Sequence, residues 1–127
     1  VAVFFAVVIL GIFYTQQGKG PESAVLLFFR GLERGDARVV RAMVEAPDEP
    51  TFLGVANLFY GIVQNAPYYG VEEIHLQHNE CVMTVRFLDP RGREFPMVVF
   101  LRRVREGWKV DAWNTLRMYE LRWRSIG

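Results

Sequence analysis

One change of period constrains this chain more than any other feature. Up to Gly70 apolar residues recur three and four apart, and beyond it they alternate with polar ones. The first pattern puts a stripe on a helix, and the second puts one face of a strand against a core. Helices first and strands afterwards make an α+β domain. Its 127 residues fit one domain, and about 110 remain for a two-layer core once an apolar opening is set aside.

Three helices are expected before the change. Pro21 suits a first turn, Glu22 favours the positive end of the helix dipole, and Val25, Phe28, Phe29 and Leu32 form a core-facing stripe. Gly35 is placed for a left-handed stop and Asp36 for the cap of a second helix, with Val39, Val40, Met43 and Val44 inside. After APDEP, Thr51 is expected to cap a third helix. Phe52, Val55, Ala56, Phe59, Ile62 and Val63 share its inner face until Asn65-Ala66-Pro67 stops it.

Four strand-like runs follow: VEEIHLQ, ECVMTVRFLD, EFPMVVFLRRVR and GWKVDAW. His78-Asn79, Pro90-Arg91-Gly92-Arg93 and Glu106-Gly107 supply turns, so the strands should pair antiparallel in sequence order. Pro96, near the start of the third run, fits a bend or an edge.

The opening run from Val1 to Tyr14 contains no charge. Fourteen residues fall short of the roughly 20 that cross a bilayer, so residues 1–14 are read as a membrane anchor shortened at its N-terminus. Nothing after Tyr14 offers a small-x-small cleavage site, which counts against a signal peptide. Residues 15–20 form a tether, 21–113 the domain and 114–127 an amphipathic tail. A single-pass protein of the cell membrane, its domain extracytoplasmic, is the expected arrangement.

Charge and cysteine usage narrow the function classes. The formal net charge is +1, which offers no overall pull towards nucleic acid. Arg102, Arg103 and Arg105 adjoin in sequence, but neighbouring strand residues face opposite ways, and no specific nucleic-acid contact is expected. Cys81 is the only cysteine, so an intrachain disulfide is impossible, and it reads as a small buried hydrophobe. His75 and His78 fall on opposite faces, and HNEC has no zinc-ligand spacing, so no metal or cofactor is expected. The two serines, Ser23 and Ser125, do not support a Ser-His-Asp arrangement.

Two segments carry a resemblance. PESAVLLFFRGLERGD and REGWKVDAW are similar to the first helix with its Gly-Asp turn, and to the closing strands, of the nuclear transport factor 2-like superfamily. That resemblance implies a cone in which a curved sheet wraps around helices. Tethered members include envelope proteins, and a related cone serves in type IV secretion and conjugation assembly, which implies protein partners or self-assembly. Isomerases of the superfamily place acidic and tyrosine residues in an apolar cavity. Here the inner stripe of the first helix is wholly apolar, so no catalytic residue is carried over.

The remaining pocket candidates are Tyr60, His75 and Asp111, with Tyr68 and Tyr69 near the mouth. Each has a plainer reading: Tyr60 as a packed aromatic, His75 on a solvated face with Glu73 and Gln77, Asp111 on the surface. The tail NTLRMYELRWRSIG is read as a helix capped by Asn114, with Leu116, Tyr119, Trp123 and Ile126 on one side and Arg117, Arg122 and Arg124 elsewhere. Aromatic and Arg residues are common interface anchors. Leu116, Tyr119, Trp123, Arg117 and Arg124 are therefore the candidate partner-binding residues. The function expected is a non-enzymatic, membrane-anchored domain for protein contact or assembly with its own copies. Its alternative is a cone that binds a small molecule or acts as an isomerase or dehydratase.

Overall fold

A computed structural model of the chain describes residues 20–126, with side chains described as far as residue 119. The expected anchor at 1–14, and residues 15–19 of the tether, lie outside the described residues. No helix within them is long and apolar enough to cross a membrane.

Helix α1 (Pro21–Arg34) begins on Pro21 and buries Ala24, Val25, Phe28, Phe29 and Leu32. It stops at Gly35, whose φ of 67° is left-handed. There the Gly35 N–H donates to the Leu32 carbonyl at 3.3 Å and the Asp36 N–H to the Gly31 carbonyl at 2.8 Å. That pair of bonds is a Schellman ending, and it satisfies carbonyls the helix leaves open. Asp36 then caps α2 (Ala37–Ala42), accepting from the Val39 N–H at 3.3 Å.

Helix α2 is shorter than its apolar spacing suggests. It ends at Ala42, so Met43 and Val44 do not belong to a helical face. Val44 and Glu45 form β1 (Val44–Glu45), which runs parallel to β5 (Gly107–Asp111) with Val44 opposite Val110 and Glu45 opposite Asp111. The Val110 N–H also donates to the Met43 carbonyl at 2.8 Å. Helix α3 (Glu49–Asn65) begins earlier than Thr51: Asp48 is the cap, and its carboxylate accepts from the Thr51 N–H at 2.8 Å. Thr51 supplies the donor rather than the cap. Asp48 serves better because its carboxylate also meets the positive end of the dipole.

The four expected strands are β2 (Tyr68–Gln77), β3 (Glu80–Leu88), β4 (Glu94–Val104) and β5, antiparallel in sequence order. His78 takes φ 54° in the two-residue turn between β2 and β3, as such hairpins require. With β1 added, the sheet has five strands in the order β1-β5-β4-β3-β2 and is mixed rather than a pure meander. A bulge interrupts β2 between Val71 and Glu73. Helix α4 (Ala112–Ile126) follows β5 without a loop.

The inner face of the sheet presents Cys81, Met83, Val85 and Phe87 from β3, and Val99 and Leu101 from β4, all buried. Against it lie Phe28 and Phe29 of α1 and Phe59 of α3. Phe29 sits 5.5 Å from Phe59, 5.4 Å from Phe87 and 5.0 Å from Tyr69, centroid to centroid. Burying an aromatic or large aliphatic side chain contributes about 1.5–3 kcal/mol. This cluster is therefore the main driving force that holds α1 and α3 on the sheet.

Candidate functional site

The shortness of β5 sets the position of α4. β4 runs from Glu94, but β5 pairs only with Leu101–Val104, so the earlier part of β4 has backbone groups with no strand beside them. Antiparallel strands direct the N–H and C=O of alternate residues to the same side. Helix α4 meets those groups with hydroxyls one turn apart. The Phe100 N–H donates to Thr115 Oγ1 at 2.9 Å, and Thr115 donates back to the Phe100 carbonyl at 3.4 Å. The Val98 N–H donates to Tyr119 Oη at 2.7 Å, and Tyr119 donates to the Val98 carbonyl at 3.0 Å. Two residues further back, Pro96 has no N–H to satisfy. Pro96, Thr115 and Tyr119 together close an edge that would otherwise be a template for strand addition.

Asp111 starts the helix. It accepts from the Asn114 N–H at 3.2 Å and from Asn114 Nδ2 at 2.7 Å. Asp111 is thus the cap that sequence spacing assigned to Asn114. It is buried rather than on the surface, at 9% exposure, with Arg102 Nη2 at 3.9 Å from its carboxylate. Helix α4 also crosses α3 at Gly54, where an added Cβ would lie 2.7 Å from Leu116 Cδ2. A glycine there allows the approach.

That approach creates the candidate site, a cleft of about 150 Å³ lined by Pro50, Thr51, Trp113, Leu116 and Arg117. Trp113 is 50% exposed, which is unusual for so large an apolar ring, and the exposed Arg117 stands one helical turn from it. Leu53 on α3 is also exposed. The recess is rimmed by an exposed Trp and an exposed Arg, residue types that recur as interface anchors. A second cleft, on the other side of the α3 start, is lined by Arg41, Val44, Ala46, Asp48, Glu49 and Phe52. Three of its lining residues contact one another. Arg41 pairs with Glu49 through both nitrogens and lies 4.4 Å from the centroid of Phe52.

The sequence candidates separate in space. Leu116 and Arg117 line the first cleft, whereas Tyr119 is buried against β4. Trp123 and Arg124 continue α4 beyond the described side chains. Tyr60 and His75 are exposed, and His75 Nε2 lies 3.3 Å from Glu73. Neither they nor Asp111 face the aromatic interior. Tyr68 is exposed. Tyr69 joins the aromatic cluster, and burial, reinforced by a hydrogen bond to Glu33, pushes its phenol above the usual range. Burial likewise raises the Cys81 thiol to about 11. Among the described residues no group of three or more His, Cys, Asp or Glu side chains is placed to hold a metal ion. Trp113 and Thr115 escaped sequence reasoning: Trp113 read as the end of a strand, and nothing local marks Thr115.

No protein-family model matches the sequence, and no curated protein matches it. Solved structures do. A Campylobacter jejuni chain described as "Putative NTF2-like transpeptidase" superposes with a TM-score of 0.53 at 18% identity, over 72% of this chain and 97% of that one. An NTF2-like protein of unknown function from Burkholderia pseudomallei aligns over 70% of this chain and 86% of its own, at 16% identity and a TM-score of 0.40, too low to carry an argument. The fold is NTF2-like, with helices packed on a five-strand mixed sheet. Likeness at this identity extends to the fold alone and assigns no chemistry.

Proposed function

We propose that the chain is a non-enzymatic contact module, tethered to a membrane by residues 1–14, that docks a protein partner in the α3–α4 cleft. The observation that carries this reading is where the aromatic side chains sit. Phe28, Phe29, Phe59 and Phe87 are fully buried against one another, in the place where a ligand-binding cone needs a cavity. Trp113 stands in solvent beside Leu116, Pro50 and Arg117, and an exposed Trp beside Arg is typical of interface anchors. The rival reading, a cone that holds a small molecule or acts as an isomerase or dehydratase, has less support because its polar candidates Tyr60, His75 and Asp111 do not converge.

The membrane part rests on the uncharged opening segment. Burial rather than charge would hold it, so the full chain should stay with membranes through a high-salt or carbonate wash. An extracytoplasmic side for the domain is part of the same proposal. The contact itself is tested with a photo-crosslinking residue at Trp113 of the full chain in its native membrane. One discrete adduct band is expected, and Arg117→Glu should remove it. No adduct, or one indifferent to Arg117→Glu, refutes the cleft as a contact site.

A further inference from the structure

The sheet treats its long edges differently. The open part of β4 is closed by Pro96, Thr115 and Tyr119. β2 ends the strand order, and every residue from Glu72 to Gln77 is exposed. The alternation of backbone directions tells which of its groups are free. Val98 and Phe100 turn theirs to α4, so Val99 and Met97 bond β3; through the paired registers Thr84 and Val82 then bond Glu73 and His75 of β2. Ile74 and Leu76 are left with N–H and C=O pointing outwards. Their side chains share the sheet face of the buried Met83 and Cys81, yet Ile74 is 39% and Leu76 60% exposed.

We infer that this edge pairs with the same edge of a second copy of the chain, antiparallel about a two-fold axis at Ile74. In that register Ile74 faces itself and exchanges both backbone hydrogen bonds with its counterpart, an isologous contact. Glu73 of each copy then stands opposite His75 of the other. The imidazole–carboxylate contact now made within one strand at 3.3 Å forms twice between the copies, on the outer face. On the inner face the two Ile74 side chains meet. Glu72, opposite Leu76 of the other copy, brings no uncompensated charge, because Arg86 donates to its carboxylate at 3.0 and 3.1 Å. β2 also lacks the Lys, Arg and Pro that commonly block an edge. The bulge between Val71 and Glu73 confines the pairing to residues 72–76. This surface is separate from the α3–α4 cleft, and neither depends on the other.

The test is a cysteine placed at the axis. Residues in a hydrogen-bonded antiparallel pair have Cα atoms about 5.5 Å apart, within the roughly 4.4–6.8 Å a disulfide needs. Ile74→Cys in the full chain, purified in mild detergent, should form a disulfide-linked dimer under gentle oxidation. Gln77→Cys on the same strand should not, since the two copies of that position lie far apart along antiparallel strands. The native Cys81 is buried and should stay unlinked. Independently of any effect at Ile74, Glu73→Lys should weaken the dimer at least tenfold, and Glu73→Lys combined with His75→Glu should restore it. Monomeric wild-type chain at about 100 µM overturns the inference, as does equal crosslinking through Gln77→Cys or a charge swap that restores nothing. A monomer whose Ile74 and Leu76 amides exchange slowly also overturns it, because the edge is then covered without a second copy.

Discussion

Removing one hydroxyl tests whether α4 truly stands in for a strand. Tyr119→Phe keeps the ring and deletes the atom that accepts from the Val98 N–H at 2.7 Å and donates to the Val98 carbonyl at 3.0 Å. A hydrogen bond inside a protein contributes about 1 kcal/mol net, and a buried backbone group left without a partner costs about 1–3 kcal/mol. Tyr119 is 8% exposed, so water has limited access to replace it, and the expected loss is about 2 kcal/mol. With a urea m value near 2 kcal/mol per molar, the unfolding midpoint should fall by about 1 M. Amide exchange localises the effect: Val98 should exchange faster while Phe100, held by Thr115 at 2.9 Å, changes little. Thr115→Val should produce the converse. If Tyr119→Phe shifts the midpoint by less than about 0.25 M and leaves Val98 protected, α4 is merely packed against the sheet and the edge-closing argument is wrong.

Gly35→Val should destabilise the fold by about 1–2 kcal/mol in a thermal melt, because a β-branched residue resists the φ of 67° that the end of α1 requires; an unchanged melt would refute the strain. Asp48 is held below the usual carboxylate range by its bonds to Thr51. A depressed folded value means stability that is present above the unfolded pKa and lost as pH falls through the folded one. Asp48→Asn, which caps without titrating, should therefore reduce the drop in melting temperature on acidification below about pH 4; an identical pH profile would show that the cap does not titrate. Cys81, buried and raised to about 11, should react with a thiol reagent at neutral pH far more slowly in the native chain than in urea, and equal rates would place it at the surface. Tyr60→Phe should change stability by less than about 0.5 kcal/mol, as expected at an exposed position, and a larger loss would mean that its hydroxyl is bonded.

What the sequence determined by itself was everything written within a few residues. Gly35 and Asp36 mark the break between α1 and α2 by their own backbone and side-chain preferences. The stripe Val25, Phe28, Phe29 and Leu32 names the buried face of α1, and alternation along β3 names Cys81, Met83, Val85 and Phe87 as its inner side. Turn residues at His78-Asn79 and Glu106-Gly107 make the strand neighbours consecutive, because a two-residue turn leaves the chain no other partner. The caps of the later helices were less legible: spacing pointed to Thr51 and Asn114, whereas the carboxylates of Asp48 and Asp111, three residues earlier, accept from the open N–H groups. Thr and Asn can cap a helix as well as Asp, and the decision falls to the side chain that the tertiary fold holds near those groups.

Only the tertiary structure decided the rest, for a single reason. Val44 joins a sheet because Val110 has an unpaired side there, and two residues carry no periodic signal of their own. Thr115 and Tyr119 look like any polar and aromatic pair one helical turn apart. They become an edge cover because β5 stops short of Val98 and Phe100, a fact about distant strand lengths. Tyr119 is turned from a plausible contact residue into a buried one by the same event, and Trp113 is left in solvent. Exposure and satisfaction of backbone groups depend on which elements meet, and residues far apart in the chain settle that by packing.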